Sequence, residues 1–228
     1  MTQRLLILET SGTVGQVGLS EAGAIVARRQ LDETRRHARD LAPTVSALLK
    51  QQGWKPRDLA ALIVSRGPGS YTGLRVGLMS ATAFAYATSC QLVAIDTFTA
   101  IARQAPAETE LLDVIADAQQ DKVYLQRFAR QGDALIPASA LVIQEMADWL
   151  TVLEAGVRVS GPGLRRHHDR LPVGCPRADE TEREPQLDSL LELGRQRLAA
   201  GQVDDLWQLE PLYLRPSSAE EKWDRLGK

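Results

Sequence analysis

The segment Ser65-Arg66-Gly67-Pro68-Gly69-Ser70-Tyr71-Thr72-Gly73-Leu74-Arg75-Val76-Gly77 constrains the fold of this chain more than any other. Before it, residues 59–64 form a short continuous apolar run that reads as a buried strand. After it, residues 74–89 run without proline for more than four helical turns. Gly67, Gly69 and Gly73 allow tight or positive-φ backbone, and Pro68 stiffens the loop. Ser70 and Thr72 offer helix caps or hydroxyls for an anion. Strand, glycine loop and helix in that order belong to an α/β chain. Such loops bind anions, and a purely structural turn is the plainer alternative.

Charge and cysteine usage narrow what such a chain does. Its 228 residues suit two closely packed lobes. With 27 basic and 29 acidic side chains the net charge is −2, without the basic excess of a dedicated tRNA binder. If an RNA were the eventual substrate, most of its phosphate contacts would come from a partner. The basic clusters at 35–39 and 165–170 are diluted by acids and read as solvated faces. Cys90 and Cys175 stand far apart, which fits a reducing compartment and buried small hydrophobes. His37, His167 and His168 form no His-x-x-x-His pair, so no metal site is expected. No secretory segment precedes Leu5, and no helix pattern holds the ~20 apolar residues of a bilayer span. A soluble, cytoplasmic protein is expected.

In the first half, strands are expected at 4–9, 14–20 and 24–31, the last two joined by the turn Glu21-Ala22-Gly23. Thr34 caps a helix running toward Gln52, striped by Leu41, Val45, Leu48 and Leu49 and stopped by Gly53. Strands at 59–65 and 91–95 then alternate with helices at 74–89 and 97–104. That is the order of a ribonuclease H-like lobe. The second half begins the pattern again: 111–117 ends in Asp117 as 5–9 ends in Glu9. A strand at 122–128 pairs with 141–143, and a helix at 148–153, a strand at 157–160 and a helix at 187–200 follow. Residues 171–186 read as a long surface loop. The repetition fits the duplicated two-lobe fold of the actin, sugar kinase and heat-shock ATPase superfamily. Pro106 and Glu108 mark the boundary between a lobe at 1–106 and a smaller one at 107–228, whose last segment is a candidate to pack back on the first.

Residues 66–77 resemble the signature of the TsaB (YeaZ) family of bacterial tRNA threonylcarbamoyladenosine biosynthesis proteins. The likeness extends to Leu6-Ile7-Leu8-Glu9-Thr10-Ser11, Arg36-His37-Ala38-Arg39 and Pro211-Leu212-Tyr213-Leu214-Arg215, dense in the first lobe and thin beyond. The resemblance implies a two-lobe actin-like ATPase fold with a reduced second lobe, and a non-catalytic scaffold that binds and activates the transferase TsaD. The modified base is the adenosine next to the anticodon. It also implies TsaE as a further partner, a homodimer in the absence of TsaD, and tRNA contact only through the complex. The partner-facing elements carried over are the helix at 38–52, with Leu41, Val45 and Leu48, and the helix at 74–89. ATP or ADP at the interface with TsaD would touch Arg66, Gly67, Pro68, Gly69, Ser70 and Thr72.

The chain departs from its superfamily twice. Glu9 stands where aspartate is usual, and the second-lobe turn Ala118-Gln119-Gln120-Asp121 has no glycine to let backbone approach phosphate. No catalytic residue is therefore assigned. A small-molecule kinase or nucleotide hydrolase using Glu9, Thr10, Ser11 and the glycine loop is the alternative; a peptidase centred on Ser70 is the third, although Ser70 lacks the Gly-x-Ser-x-Gly elbow. At 100° per residue, the helix at 74–89 puts Gly73, Gly77, Ala81, Phe84 and Thr88 on one stripe, suited to a sheet. Arg75, Met79, Thr82, Ala83 and Tyr86 lie opposite. Small or apolar on both sides, this helix needs a second cover, which a partner subunit would supply.

Overall fold

The computed structural model describes residues 3–31 and 37–214. The expected cap Thr34, the cluster residues Arg35 and Arg36, and Arg215 lie outside them.

Two five-stranded sheets organise the chain. In the first, β1 (Arg4–Glu9) pairs antiparallel with β2 (Gln16–Glu21), and β2 antiparallel with β3 (Ala24–Gln30). On its other side β1 pairs parallel with β4 (Ala61–Ser65), which pairs parallel with β5 (Gln91–Ile95). Alternate side chains point to opposite faces. Leu6, Leu8, Leu62 and Val64 pack with helices α1 (His37–Gln51) and α2 (Tyr71–Thr88). Leu5, Ile7, Ala61 and Ile63 pack instead with Leu187, Leu190 and Leu191 of α6 (Leu187–Ala199). Cover on both faces is why these strands read as unbroken apolar runs.

The second sheet repeats the first in reduced form. β6 (Leu111–Asp117) pairs antiparallel with β7 (Lys122–Gln131) and parallel with β10 (Arg158–Ser160), as β1 does with β2 and β4. β7 also pairs with β8 (Ala134–Pro137) and β9 (Val142–Glu145). One face packs on Phe98 and Ile101 of α3 (Thr97–Ala102). The other packs on Met146 and Trp149 of α4 (Met146–Val152) and on Leu164 of α5 (Leu164–His167). The hairpin through Gly132 that forms β8 was not expected from the sequence, nor was the four-residue α5. Residues 171–186 hold only a 3₁₀ turn at Glu180–Glu182 and a bridge from Arg177 to Val159.

The helix expected at 187–200 as part of the second lobe lies against the first sheet, because its apolar side chains complete the face that α1 and α2 leave bare. Residues 202–214 then run back along the first lobe. The Asp204 N–H donates to the Leu92 carbonyl at 2.8 Å, and the Ala94 N–H donates to Asp204 Oδ2 at 2.7 Å. Farther on, the Leu212 N–H donates to the Arg66 carbonyl at 2.8 Å. This strap covers part of the β5 edge, which would otherwise present unpaired backbone groups.

Candidate functional site

The glycine loop is built around the segment that leaves β1. A methyl group at Gly73 would overlap the Thr10 carbonyl oxygen, one at Gly77 would overlap Thr10 Oγ1, and one at Gly69 would lie 2.5 Å from the Ser11 carbonyl oxygen. The Ser70 N–H donates to that Ser11 carbonyl at 2.8 Å, and the Ser70 hydroxyl accepts from the Gly73 N–H at 3.2 Å. This cap starts α2 at Tyr71, earlier than the apolar pattern predicts. Arg66 Nε donates to Asp96 Oδ1 at 2.5 Å, while the Gly67 carbonyl accepts the Thr97 N–H at 2.8 Å. Pro68 is buried and Thr72 exposed. Close packing thus accounts for the three glycines, and several groups proposed for a nucleotide already hold the lobe together.

Behind the loop, the turn after β1 meets α5. Glu9 is buried, and its Oε1 accepts from the Ser11 N–H (2.6 Å), the Ser11 hydroxyl (2.6 Å) and the Gly12 N–H (3.0 Å). Its Oε2 is buried without a hydrogen-bond partner. Burial pushes the Glu9 carboxyl up to about 7, against smaller opposing interactions with Ser11, Ser65 and Gly12. From α5, Arg165 Nη1 donates to Thr13 Oγ1 at 2.8 Å, and Arg165 Nη2 lies 3.2 Å from Glu184 Oε1. Burial also raises the Glu184 carboxyl, opposed by Arg165 and the Thr13 backbone. Asp117, the counterpart of Glu9 at the end of β6, binds Arg166 at 2.9 Å. Gln119, Gln120 and Asp121 take left-handed backbone without a glycine. Among the described residues, no three His, Cys, Asp or Glu side chains are grouped to hold a metal. Sequence reading missed Glu184 and Arg165 as partners, since neither stands in a periodic or motif-bearing stretch.

The outer side of α2 is open. Met79 is 72 % exposed and Tyr86 67 %, Arg75 and Ala83 are exposed, and Thr82 is half-buried. Opposite them Gly73, Gly77 and Ala81 are buried, as the helical stripe predicts. The strap adds aromatic surface. Tyr213 stacks on Tyr71 with ring centroids 4.9 Å apart, Arg75 Nε donates to the Tyr213 hydroxyl at 3.0 Å, and Trp207, 79 % exposed, meets Tyr86 edge-on at 5.7 Å. Leu41, Val45 and Leu48 turn into the core of their own lobe, because the face of the sheet bearing Leu6 and Leu8 needs that cover. Leu41 and Val45 line an apolar groove of about 500 Å³ between α1 and α2, together with Leu49, Trp54 and Phe84. No described helix is long and apolar enough to cross a membrane.

Residues 26–164 match the family model described as TsaD: tRNA N6-adenosine threonylcarbamoyltransferase. The chain is 27 % identical over 232 residues to the tRNA threonylcarbamoyladenosine biosynthesis protein TsaB of Bacillus subtilis, covering 96 % of this chain and 97 % of that protein. It is 34 % identical over 196 residues to an uncharacterized protein of Mycobacterium tuberculosis, covering 86 % of this chain and 83 % of the other. Among solved structures, YeaZ from Pseudomonas aeruginosa superimposes with a TM-score of 0.79 at 25 % identity, over 93 % of this chain and 100 % of that one. The fold is accordingly the duplicated ribonuclease H-like fold of the actin-like superfamily. Full-length similarity to TsaB, the shared YeaZ architecture and the matched family model together make this chain a member of the TsaB/YeaZ family.

Proposed function

We propose that the chain serves tRNA threonylcarbamoyladenosine synthesis as a non-catalytic scaffold, binding and activating a TsaD-type transferase through the outer face of α2. The reading takes its pathway from the TsaB relatives. The observation that carries the surface is an apolar helix face left open on a folded lobe, with Met79, Ala83 and Tyr86 continued by Trp207. Contiguous apolar surface of this kind marks interaction sites. Without TsaD, a second copy covers the face and gives a homodimer. A TsaE-type ATPase joins the assembly, ATP or ADP binds at the interface with TsaD, and tRNA is met through the complex in the cytoplasm. Arg165 and Glu184 pair beside the turn after β1, where a kinase or nucleotide hydrolase of this superfamily would hold phosphate, which favours the scaffold reading.

Two charge insertions on one helix test it. Ala83→Glu puts a carboxylate on the exposed face and should leave the fold intact. Its binding to purified TsaD should weaken at least about 100-fold, the effect of roughly 3 kcal/mol of unpaired, desolvated charge, and it should fail to restore the modified base in depleted cells. Ala81→Glu drives the charge into the core and should unfold the lobe. A folded Ala83→Glu chain that binds TsaD as the wild type does overturns the surface assignment.

A further inference from the structure

Between α1 and α2 the first lobe is left unfilled. Leu6 and Leu8 of β1 line the floor of the groove there, of about 500 Å³, and both are buried. The gap has a local cause. Packed helices fill the space between them with interlocking side chains. Here that space is lined by Ala42 and Ser46 from α1 and by Ser80 from α2, all too short to close it. Protein interiors are packed as densely as organic crystals, so an apolar occupant would regain contacts that this void forfeits. The volume falls within the range of small-ligand sites. One wall is already held in place: the Arg4 guanidinium stands 4.7 Å from the centre of the Trp54 ring, and Arg4 Nε donates to Glu21 at 2.8 Å. At the mouth stands the exposed Lys50, and no carboxylate lines the groove beside it.

We propose that the groove between α1 and α2 binds a medium-chain fatty acid, its alkyl chain on Leu6 and Leu8 and its carboxylate at Lys50. The lining dictates that chemistry. Floor and walls are apolar, so the buried part of the ligand carries no polar group that would lose its hydrogen bonds to water. Each methylene added within the groove tightens binding about fourfold. The single cation at the rim then sets the sign of the head group. An exposed ion pair of this kind is worth only about two- to fivefold, so chain length governs affinity and Lys50 governs selectivity. The ligand touches α2 at Ser80 and Phe84, each one residue on from Met79 and Ala83 of the exposed face. The site does not depend on what covers that face.

Titration with sodium decanoate, below its micelle range, tests this. The methyl resonances of Leu6, Leu8 and Val45 should shift saturably with a Kd of ~0.1 mM. Octanoate, with a shorter chain, should bind about tenfold more weakly. Decanol should bind about two- to fivefold more weakly than decanoate, and decyltrimethylammonium more weakly still. Lys50→Glu should reverse that order of head groups. Ser80→Phe fills the groove from α2 and should keep a cooperative melt while weakening decanoate at least about tenfold; Ser46→Phe, from the exposed side of α1, takes its place if that variant fails to fold. Each titration is run in the wild type and in Ala83→Glu, so that self-association through α2 does not hide the groove. Absence of methyl shifts in both overturns the proposal, as does decanoate binding that survives a filled groove. A Lys50→Glu variant that ranks the head groups as the wild type does overturns the fatty acid as ligand. Methyl shifts that follow protein concentration and ignore decanoate would make the occupant a second copy of this chain, which also overturns it.

Discussion

At Glu9 one carboxylate oxygen takes three donors and the other, equally buried, takes none. The folded chain therefore holds a proton there at a pH where the unfolded chain has lost it. Between the ordinary 4.5 and about 7, the native state binds more protons than the unfolded state, so stability from this group is full below 4.5 and is lost as pH rises through 7. The shift corresponds to about 3 kcal/mol. Glu9→Gln should remove that slope: urea midpoints of wild type and variant should diverge between pH 5 and pH 8, with the variant gaining at high pH. Parallel midpoints would mean that Glu9 ionises normally. Gly73 makes a different demand. Gly73→Ala should cost roughly 3 kcal/mol or more, because its methyl meets backbone, the Thr10 carbonyl, that cannot turn aside. The glycine pattern in 67–77 was legible as a demand for close approach. What approaches was not, since Thr10 and Ser11 come from the far end of the lobe's sequence.

α2 was the most readable element. Its two faces follow from helical spacing alone, and the structure puts Gly73, Gly77 and Ala81 inward and Arg75, Met79, Ala83 and Tyr86 outward. α1 was readable as a helix, but which way its stripe turns was not. An apolar stripe of Leu41, Val45 and Leu48 looks the same whether it meets its own sheet or another protein, and here the sheet takes it. The strap at 202–214 was read only as a last segment that packs back on the first lobe; which edge it meets left no signal, because what it supplies to β5 is one side chain and a few backbone groups. Asp204 replaces a neighbouring strand there, accepting the Ala94 N–H at 2.7 Å and pairing with Arg197 at 3.0 Å. Asp204→Ala leaves that N–H without its acceptor, so the urea midpoint should fall by the equivalent of about 1–3 kcal/mol. Asp204→Asn keeps an acceptor and should lose less. Equal losses in the two would assign the effect to the ion pair rather than to the backbone bond.

At the scale of the whole molecule, the duplication was visible because β1 and β6 each end an apolar run in an acid, Glu9 and Asp117. The crossing was hidden: nothing in the spacing of α6 says which of two sheets its leucines cover. Its place on the first sheet means that residues 1–106 lack one wall of their own core. That fragment should be insoluble alone and recover on co-expression with residues 183–214, read as soluble yield and a cooperative melt. A fragment 1–106 that melts cooperatively by itself would show that the α6 face is dispensable. The same arrangement bears on how the protein is made. A ribosome releases β1 long before α6, so a nascent chain carries a half-bare sheet through the synthesis of everything between them. Its exposure to sticking and to chaperones ends only with α6, and a message truncated before that point yields a first lobe for the proteases.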